Sequence, residues 1–280
     1  MKVAFDKHRD IWGPLFTAQI RNWAETVFRP ADVMIANGQL SQEEWGEAPM
    51  PVRPVGGTGF SEKGLRLHPL RQLPADYERV RYFDFAAAEY EMGIHEYKAY
   101  IIKHAFPVLE RFLMPGSRVM DCACGPGYEA IALSMMVAES EVVAVDLSTE
   151  MIRLACHNAK EHGRHNMSFY QGDARNLPGA LKNKFDAVYC QLSCSYFDDL
   201  SRVATCMFDA LHNSGFVFLT EPYPTTPNSL SINFAKAANP WFERLYDKEE
   251  LQAIFMDAGF KNYYWKEILP GIGLSIISKQ

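Results

Sequence analysis

Three carboxylates, each closing an apolar run, are the residues of this chain best placed to do chemistry. Asp121 follows Arg118-Val119-Met120 and opens the stretch Asp121-Cys122-Ala123-Cys124-Gly125-Pro126-Gly127-Tyr128-Glu129-Ala130. Asp146 closes Val142-Val143-Ala144-Val145, and Asp173 stands in Gly172-Asp173-Ala174 after the run Met167 to Gln171. Glycines at 125 and 127 remove the Cβ atoms that would hold a ligand away from the backbone. The helix predicted after them turns free N–H groups and its positive dipole end toward the same place. A carboxylate about 20 residues beyond such a loop can accept hydrogen bonds from both hydroxyls of a ribose. Asp173, at the next strand end, is placed to meet an adenine amino group. The stretch therefore reads as a strand–loop–helix that holds a nucleotide-like ligand. Gly125-Pro126-Gly127 with Ala130 also satisfies the dinucleotide fingerprint, which leaves a nicotinamide-dependent oxidoreductase as an alternative. Acids closing three successive strands, with Asp121 ahead of the glycines, speak against it.

Two further side chains could act on an acceptor. His95, in Gly93-Ile94-His95, titrates in the range useful for a base or substrate contact, and a structural histidine is the competing reading. Glu221 ends an apolar run and could orient a hydroxyl, or cap local backbone instead.

The elements that must position these groups follow from hydrophobic period. Residues 10–28 place Trp12, Phe16, Ile20, Trp23 and Val27 on one helical face. That helix packs on the main domain, or serves as a lid, dimer contact or lipid-surface helix. Ser41 with Glu44 has the capping-box spacing, and the prolines and glycines of 49–60 form an exposed loop. Helical sequence resumes at Asp76 and leads, with a bend or new turn at Pro107, to the first strand. Strands and helices then alternate: helix 149–161, strand 185–190, a helix carrying Leu200, Val203, Ala204, Met207, Phe208 and Leu211 on one face, and strand 216–221. This alternation predicts βαβ units and a parallel sheet. Residues 222–246, rich in proline and aromatics, form an insertion at the carboxyl edge of that sheet. Asp247 and Glu250 then start a helix that ends at Gly259.

The net charge is −6, the isoelectric point is near 5.8, and Lys and Arg form no cluster. That balance excludes a polyanion-binding surface, and no nucleic-acid partner is expected. The start of the chain has no signal-peptide core, and no run approaches the ~18 apolar residues of a membrane span. Six cysteines lack metal spacing, so they are expected as small reduced side chains, no metal is expected, and the protein is expected in the cytoplasm.

Asp121-x-Ala-Cys-Gly-Pro-Gly127, Val145-Asp-Leu-Ser148, Gly172-Asp-Ala174 and Phe185-Asp-Ala-Val188 resemble successive motifs of class I S-adenosylmethionine-dependent methyltransferases. The resemblance covers roughly residues 80–280. It is strongest to the ubiquinone/menaquinone-biosynthesis (UbiE-like) group through Phe83-Asp-Phe-Ala-Ala-Ala-Glu-Tyr90 and Met256-Asp-Ala-Gly-Phe260. It implies a Rossmann-like α/β fold: a seven-stranded, mostly parallel sheet with helices on both faces and an antiparallel C-terminal hairpin. Residues 1–80 would add an N-terminal helical cap, and 81–280 would be the methyltransferase domain with 222–246 as a lid. The implied cofactor is S-adenosyl-L-methionine. Asp121, Ala123, Gly125 and Gly127 would contact it from the first loop. Asp146, Leu147 and Met151 would do so from the second, and Asp173, Ala174 and Gln191 from the third and fourth, with Tyr90 above.

Tyr196 falls where many small-molecule methyltransferases carry His, so it could hydrogen-bond the acceptor. The quinone enzymes carry an Arg-Asn pair where this chain has Ser195-Tyr196, which argues against a quinone precursor. The aromatic-rich insertion and N-terminal segment favour a small, apolar or aromatic acceptor. Methyl transfer at O, N or C, and a binding role without methyl transfer, stay open, as does a homodimer through the N-terminal extension.

Overall fold

The computed structural model describes residues 65–67, 74–224 and 241–280, with the side chains of 74–97 described in part. The expected helix 10–28, the Ser41 cap, the loop 49–60 and most of the insertion 222–246 lie outside the described residues. Among the described residues, eight strands form one sheet in the order β1-β4-β3-β2-β5-β6-β8-β7. They are β1 (Leu65–Leu67), β2 (Val119–Cys122), β3 (Val142–Asp146), β4 (Met167–Gln171), β5 (Phe185–Gln191), β6 (Leu211–Pro222), β7 (Asn262–Leu269) and β8 (Ile272–Ser278). The first six run parallel, and β8 pairs antiparallel with both β6 and β7. The seven expected strands are thus present, joined by the three-residue β1 at the edge beside β4, where Leu65 lies opposite Phe169.

Helices α1 (Pro74–Leu109), α2 (Tyr128–Met136), α3 (Thr149–Glu161), α4 (Leu200–Ala210) and α5 (Lys248–Asp257) cover the two faces. Strands β2, β3 and β4 are apolar runs because both of their faces are covered. Alternate residues accordingly enter different cores. Val119, Val142 and Ala144 join Ile102, Leu109, Ile131, Leu133, Ile152 and Ala155 from α1, α2 and α3. Met120, Cys122, Val143 and Val145 join Val203, Met207, Leu251 and Phe255 from α4 and α5. Two features depart from the expected N-terminal helical extension. β1 is a strand within it, and α1 begins at Pro74, so the division at residue 80 falls inside one helix. Proline suits the first position of a helix, where its missing N–H has no partner to lose. Pro107 lies in the last turn of α1.

The sheet grows leftward from β2 through β3 and β4, then restarts on the other side of β2 with β5 and β6. Where the order reverses, the loops after β2 and β5 part and leave a crevice at the carboxyl ends of the strands, the place where open α/β sheets bind ligands.

Candidate active site

The loop after β2 is held in shape by Asp146. Its Oδ2 accepts from Gly125 N at 2.8 Å and its Oδ1 from Ser148 N at 2.9 Å. Cys124 N donates to Val145 O at 3.0 Å, and the Asn158 amide on α3 donates to Pro126 O at 3.0 Å. Burial raises the Asp146 carboxyl above its ordinary value, against the lowering effect of these two backbone donors. Gly125 has φ 53° and Gly127 φ 84°. A Cβ on Gly127 would stand 2.8 Å from Ala155 Cβ, so this glycine lets α2 pack on α3 rather than letting a ligand approach. Ala123 (φ 60°) and Leu192 (φ 54°) hold left-handed backbone without being glycine. Such residues are uncommon, and strained backbone of this kind collects at functional sites.

A cavity of about 820 Å³, counting its open mouth, lies over this loop. Ala123, Gly125, Asp146, Leu147, Met151, Asp173 and Ala174 line it, seven of the expected cofactor contacts. Phe83, Leu192, Tyr196 and Phe197 give it an apolar and aromatic side. Ser148 caps α3 by accepting from Met151 N at 3.1 Å, and its own hydroxyl donates to Asp84 on α1 at 2.6 Å. Asp84 also accepts from Glu150 N, so two side chains cap the helix that carries Met151.

Sequence reasoning missed the arginines at this edge. Arg175 forks onto both oxygens of Asp173 through Nε (3.0 and 3.1 Å) and reaches Asp198 at 2.9 Å. Arg79, also lining the cavity, lies 3.4 Å from Asp198 and 3.5 Å from Glu243, with its guanidinium 5.1 Å from the Trp241 ring centre. Burial alone would raise Asp198, but the Arg79 and Arg175 charges overcome it and hold the carboxyl below its ordinary value. Asp173 is thus a clamped acid, and any ligand there must share it with Arg175. No motif marks a guanidinium as the partner of an acid two residues earlier.

Asp121, Gly127 and Gln191 do not line the cavity. Asp121 is buried beneath the loop, and its Oδ2 has no hydrogen-bond partner. Its carboxyl is raised well above the ordinary range, first by burial and then by the charge of Glu129, while Lys98 acts against the rise. Lys98 on α1 and Glu129 in the first turn of α2 form a buried pair at 3.0 Å. Gln191 donates to Glu129 at 2.7 Å and accepts from Tyr189 at 2.5 Å and Thr220 at 3.0 Å. Its side-chain amide thus binds Glu129, Tyr189 and Thr220 in the structure, and it does not line the cavity. Lys98 itself reaches the cavity wall.

Of the acceptor-side candidates, Tyr196 lines the cavity, edge-on to Phe83 (6.1 Å between ring centres) and Phe242 (5.9 Å). Glu221 does not. It is 4% exposed, its Oε1 accepts from Ser193 N at 2.8 Å and Cys194 N at 3.2 Å, and burial pushes its carboxyl up to about 8. It caps the backbone that leads to Tyr196, one of the two roles expected of it. Tyr90 and His95 lie on α1, with side chains outside the described residues.

A parallel sheet in this order, a glycine loop after β2 and acids closing β3 and β4 define the class I S-adenosylmethionine-dependent methyltransferase fold. The chain belongs to the methyltransferase domain family, whose pattern matches residues 113–269. It is 30% identical over 141 residues to the Bacillus subtilis protein YcgJ, named as an uncharacterized methyltransferase. That match takes in 49% of this chain and 54% of YcgJ, about half its length. The YcgJ crystal structure superposes with a TM-score of 0.54 at 26% identity, over 59% of this chain and 71% of that one. A demethylmenaquinone methyltransferase from Staphylococcus carnosus is 30% identical over 180 residues, 56% of this chain and 73% of its own. Phosphoethanolamine N-methyltransferase 2 of Haemonchus contortus, solved with phosphomonomethylethanolamine and S-adenosylhomocysteine, shares the fold at 20% identity. Its TM-score is 0.57, over 72% of this chain and 48% of that one.

Proposed function

We propose that this chain transfers the methyl group of S-adenosylmethionine to a small, apolar or aromatic metabolite. The observation that carries this reading is one cavity lined by two unlike groups: Asp146, Asp173 and the Gly125 loop, and the apolar or aromatic Phe83, Leu192, Tyr196 and Phe197. The residues present fit the cofactor. Both Asp146 oxygens keep a lone pair beyond the backbone donors for ribose hydroxyls, Leu147 and Met151 suit the faces of a base, and Ala174 follows Asp173 at its edge. Beneath, the orphaned Asp121 oxygen supports a role toward the ammonium end of the cofactor. When bound, S-adenosylmethionine supplies a methyl group already activated by its sulfonium.

The chain then has to bind, orient and exclude water. Leu192 and Phe197 keep water from the acceptor side, and Tyr196 offers a hydroxyl to an acceptor heteroatom. Glu221 positions Tyr196 through the Ser193 and Cys194 backbone. Tyr90 on α1 is proposed to lie over the cofactor and His95 to meet the acceptor, with residues 1–80 and 222–246 closing over it. The test is incubation of the purified protein and S-adenosylmethionine with a cell extract, read by mass spectrometry. A product one methylene heavier, formed only with cofactor and protein together, supports the reading. Tight S-adenosylhomocysteine binding without any such product would point to a binding role or another reaction.

A further inference from the structure

On the face of the sheet covered by α4 and α5, the ends of three strands bring together groups the cofactor does not need. Cys190 is the next-to-last residue of β5, Cys194 lies in the turn after it, and Glu221 is the next-to-last residue of β6. One ligand atom from each lies within 4.8 Å of the other two, and all three residues are buried. Cys122, at the end of the adjacent β2, hydrogen-bonds to the Cys190 sulfur, so a third sulfur stands at the edge of the group. The carboxylate is the informative member. Its Oε1 is occupied by the Ser193 and Cys194 N–H groups, and Oε2 is fully buried with no nitrogen or oxygen partner, the Cys194 thiol being the side chain that hydrogen-bonds this carboxyl. Most buried polar atoms find a partner, and this one faces two cysteines that are weak donors.

We propose that Cys190, Cys194 and Glu221 form a binding site for a thiophilic divalent cation, zinc by preference. Two thiolates and a carboxylate are borderline-soft donors of the kind that select zinc over magnesium or calcium. Cys190 and Cys194 are spaced C-x3-C, within the range found for paired zinc cysteines, which corrects the reading that none of the six has metal spacing. The pair stands alone in the sequence, because its third ligand comes from a different strand. Three protein ligands leave a fourth position, which the Cys122 sulfur would close to make a structural site. The site is independent of the cofactor reading, since it lies behind the floor of the cavity. It touches that cavity through Leu192 and Ser193, which line it between Cys190 and Cys194.

The test uses the full-length protein, stripped with a chelator under reducing conditions and titrated with Co(II) as a spectroscopic stand-in for zinc. The expected result is saturation at one ion per chain with a sulfur-to-cobalt charge-transfer band, displaced by zinc. Cys194→Ser should lose the band, and Glu221→Gln should weaken binding at least tenfold. Cys206→Ser, on α4 and outside the group, should keep both. A wild-type protein that gives no charge-transfer band overturns the proposal, and so does a band that survives in the Cys190→Ser/Cys194→Ser double variant. S-adenosylhomocysteine binding, measured on the same samples, reports folding of the variants. It is expected to persist in stripped wild-type protein.

Discussion

Lys98→Met should be the most destabilising single change near the cavity. Lys98 and Glu129 are 2% and 1% exposed at their side chains and meet at 3.0 Å. Removing the ammonium leaves Glu129 with Gln191 as its neighbour and no charge to offset it, and Asp121 loses the same cation. Breaking one side of a buried ion pair costs about 3–5 kcal/mol. With a urea slope of about 2–3 kcal/mol per molar, the unfolding midpoint should fall by roughly 1–2 M. The sign of the pH dependence follows from Asp121. An acid whose folded value is raised contributes stability that is complete below its unfolded value and is lost as pH rises through the folded one. Lys98 counters that rise in the wild type. The deficit of Lys98→Met should therefore be largest near pH 8 and shrink toward pH 5. Lys98→Met/Glu129→Gln, which removes both charges and keeps a partner for Gln191, should recover most of the loss. Urea melts at the two pH values measure all of this. A single variant within ~1 kcal/mol of wild type at pH 8, or a deficit that ignores pH, would refute the argument.

Asp146→Ala should weaken S-adenosylhomocysteine binding at least tenfold by calorimetry without unfolding the chain, since each charge-assisted bond contributes ~1.5–3 kcal/mol. Unchanged affinity in a folded variant would remove Asp146 from the ribose. Asp173→Asn should cost less, because an amide still presents an oxygen, but it should blunt discrimination between adenine- and hypoxanthine-bearing analogues. Discrimination equal to wild type would count against adenine at that corner. Gly127→Ala meets Ala155 Cβ at 2.8 Å and should lower stability by about 1–3 kcal/mol. Ala155→Gly in the same chain should restore part of it, and a thermal melt that finds no difference between the single and double variants would contradict the packing role.

The strands and the acids that close them were legible because burial on both faces writes continuous apolar runs into the sequence. Asp146 and Asp173 stand out as the polar ends of such runs. The expected helices 149–161 and 200–211 match α3 and α4 to within a residue, and the Asp247–Glu250 capping box is present. Side-chain direction was harder. Gln191 looks like a site residue from its place at the end of β5. Strand parity could have told otherwise, because it shares a face with Tyr189, which is the register partner of Asp121. Lys98 and Arg79 carry no local signal, since each acquires its partners from elements far along the chain, and Cys190-x3-Cys194 is a spacing whose third member, Glu221, comes from another strand. Glu129 carried a misleading one: an acid in a first helical turn is ordinarily a solvated partner of the helix dipole.

The hydrogen bonds that tie Asp84 to Ser148 and Glu150 join α1 to the same short segment that presents Asp146. Seating α1 and ordering the segment around Asp146 are therefore one equilibrium viewed from two ends. By thermodynamic reciprocity, whatever factor the bound cofactor adds to the docking of α1, a docked α1 adds to the affinity for cofactor. A partner or acceptor that presses on α1 would be felt at Asp146 without touching it. A measured change in cofactor affinity could then serve as a gauge of how firmly the N-terminal part of the chain is held.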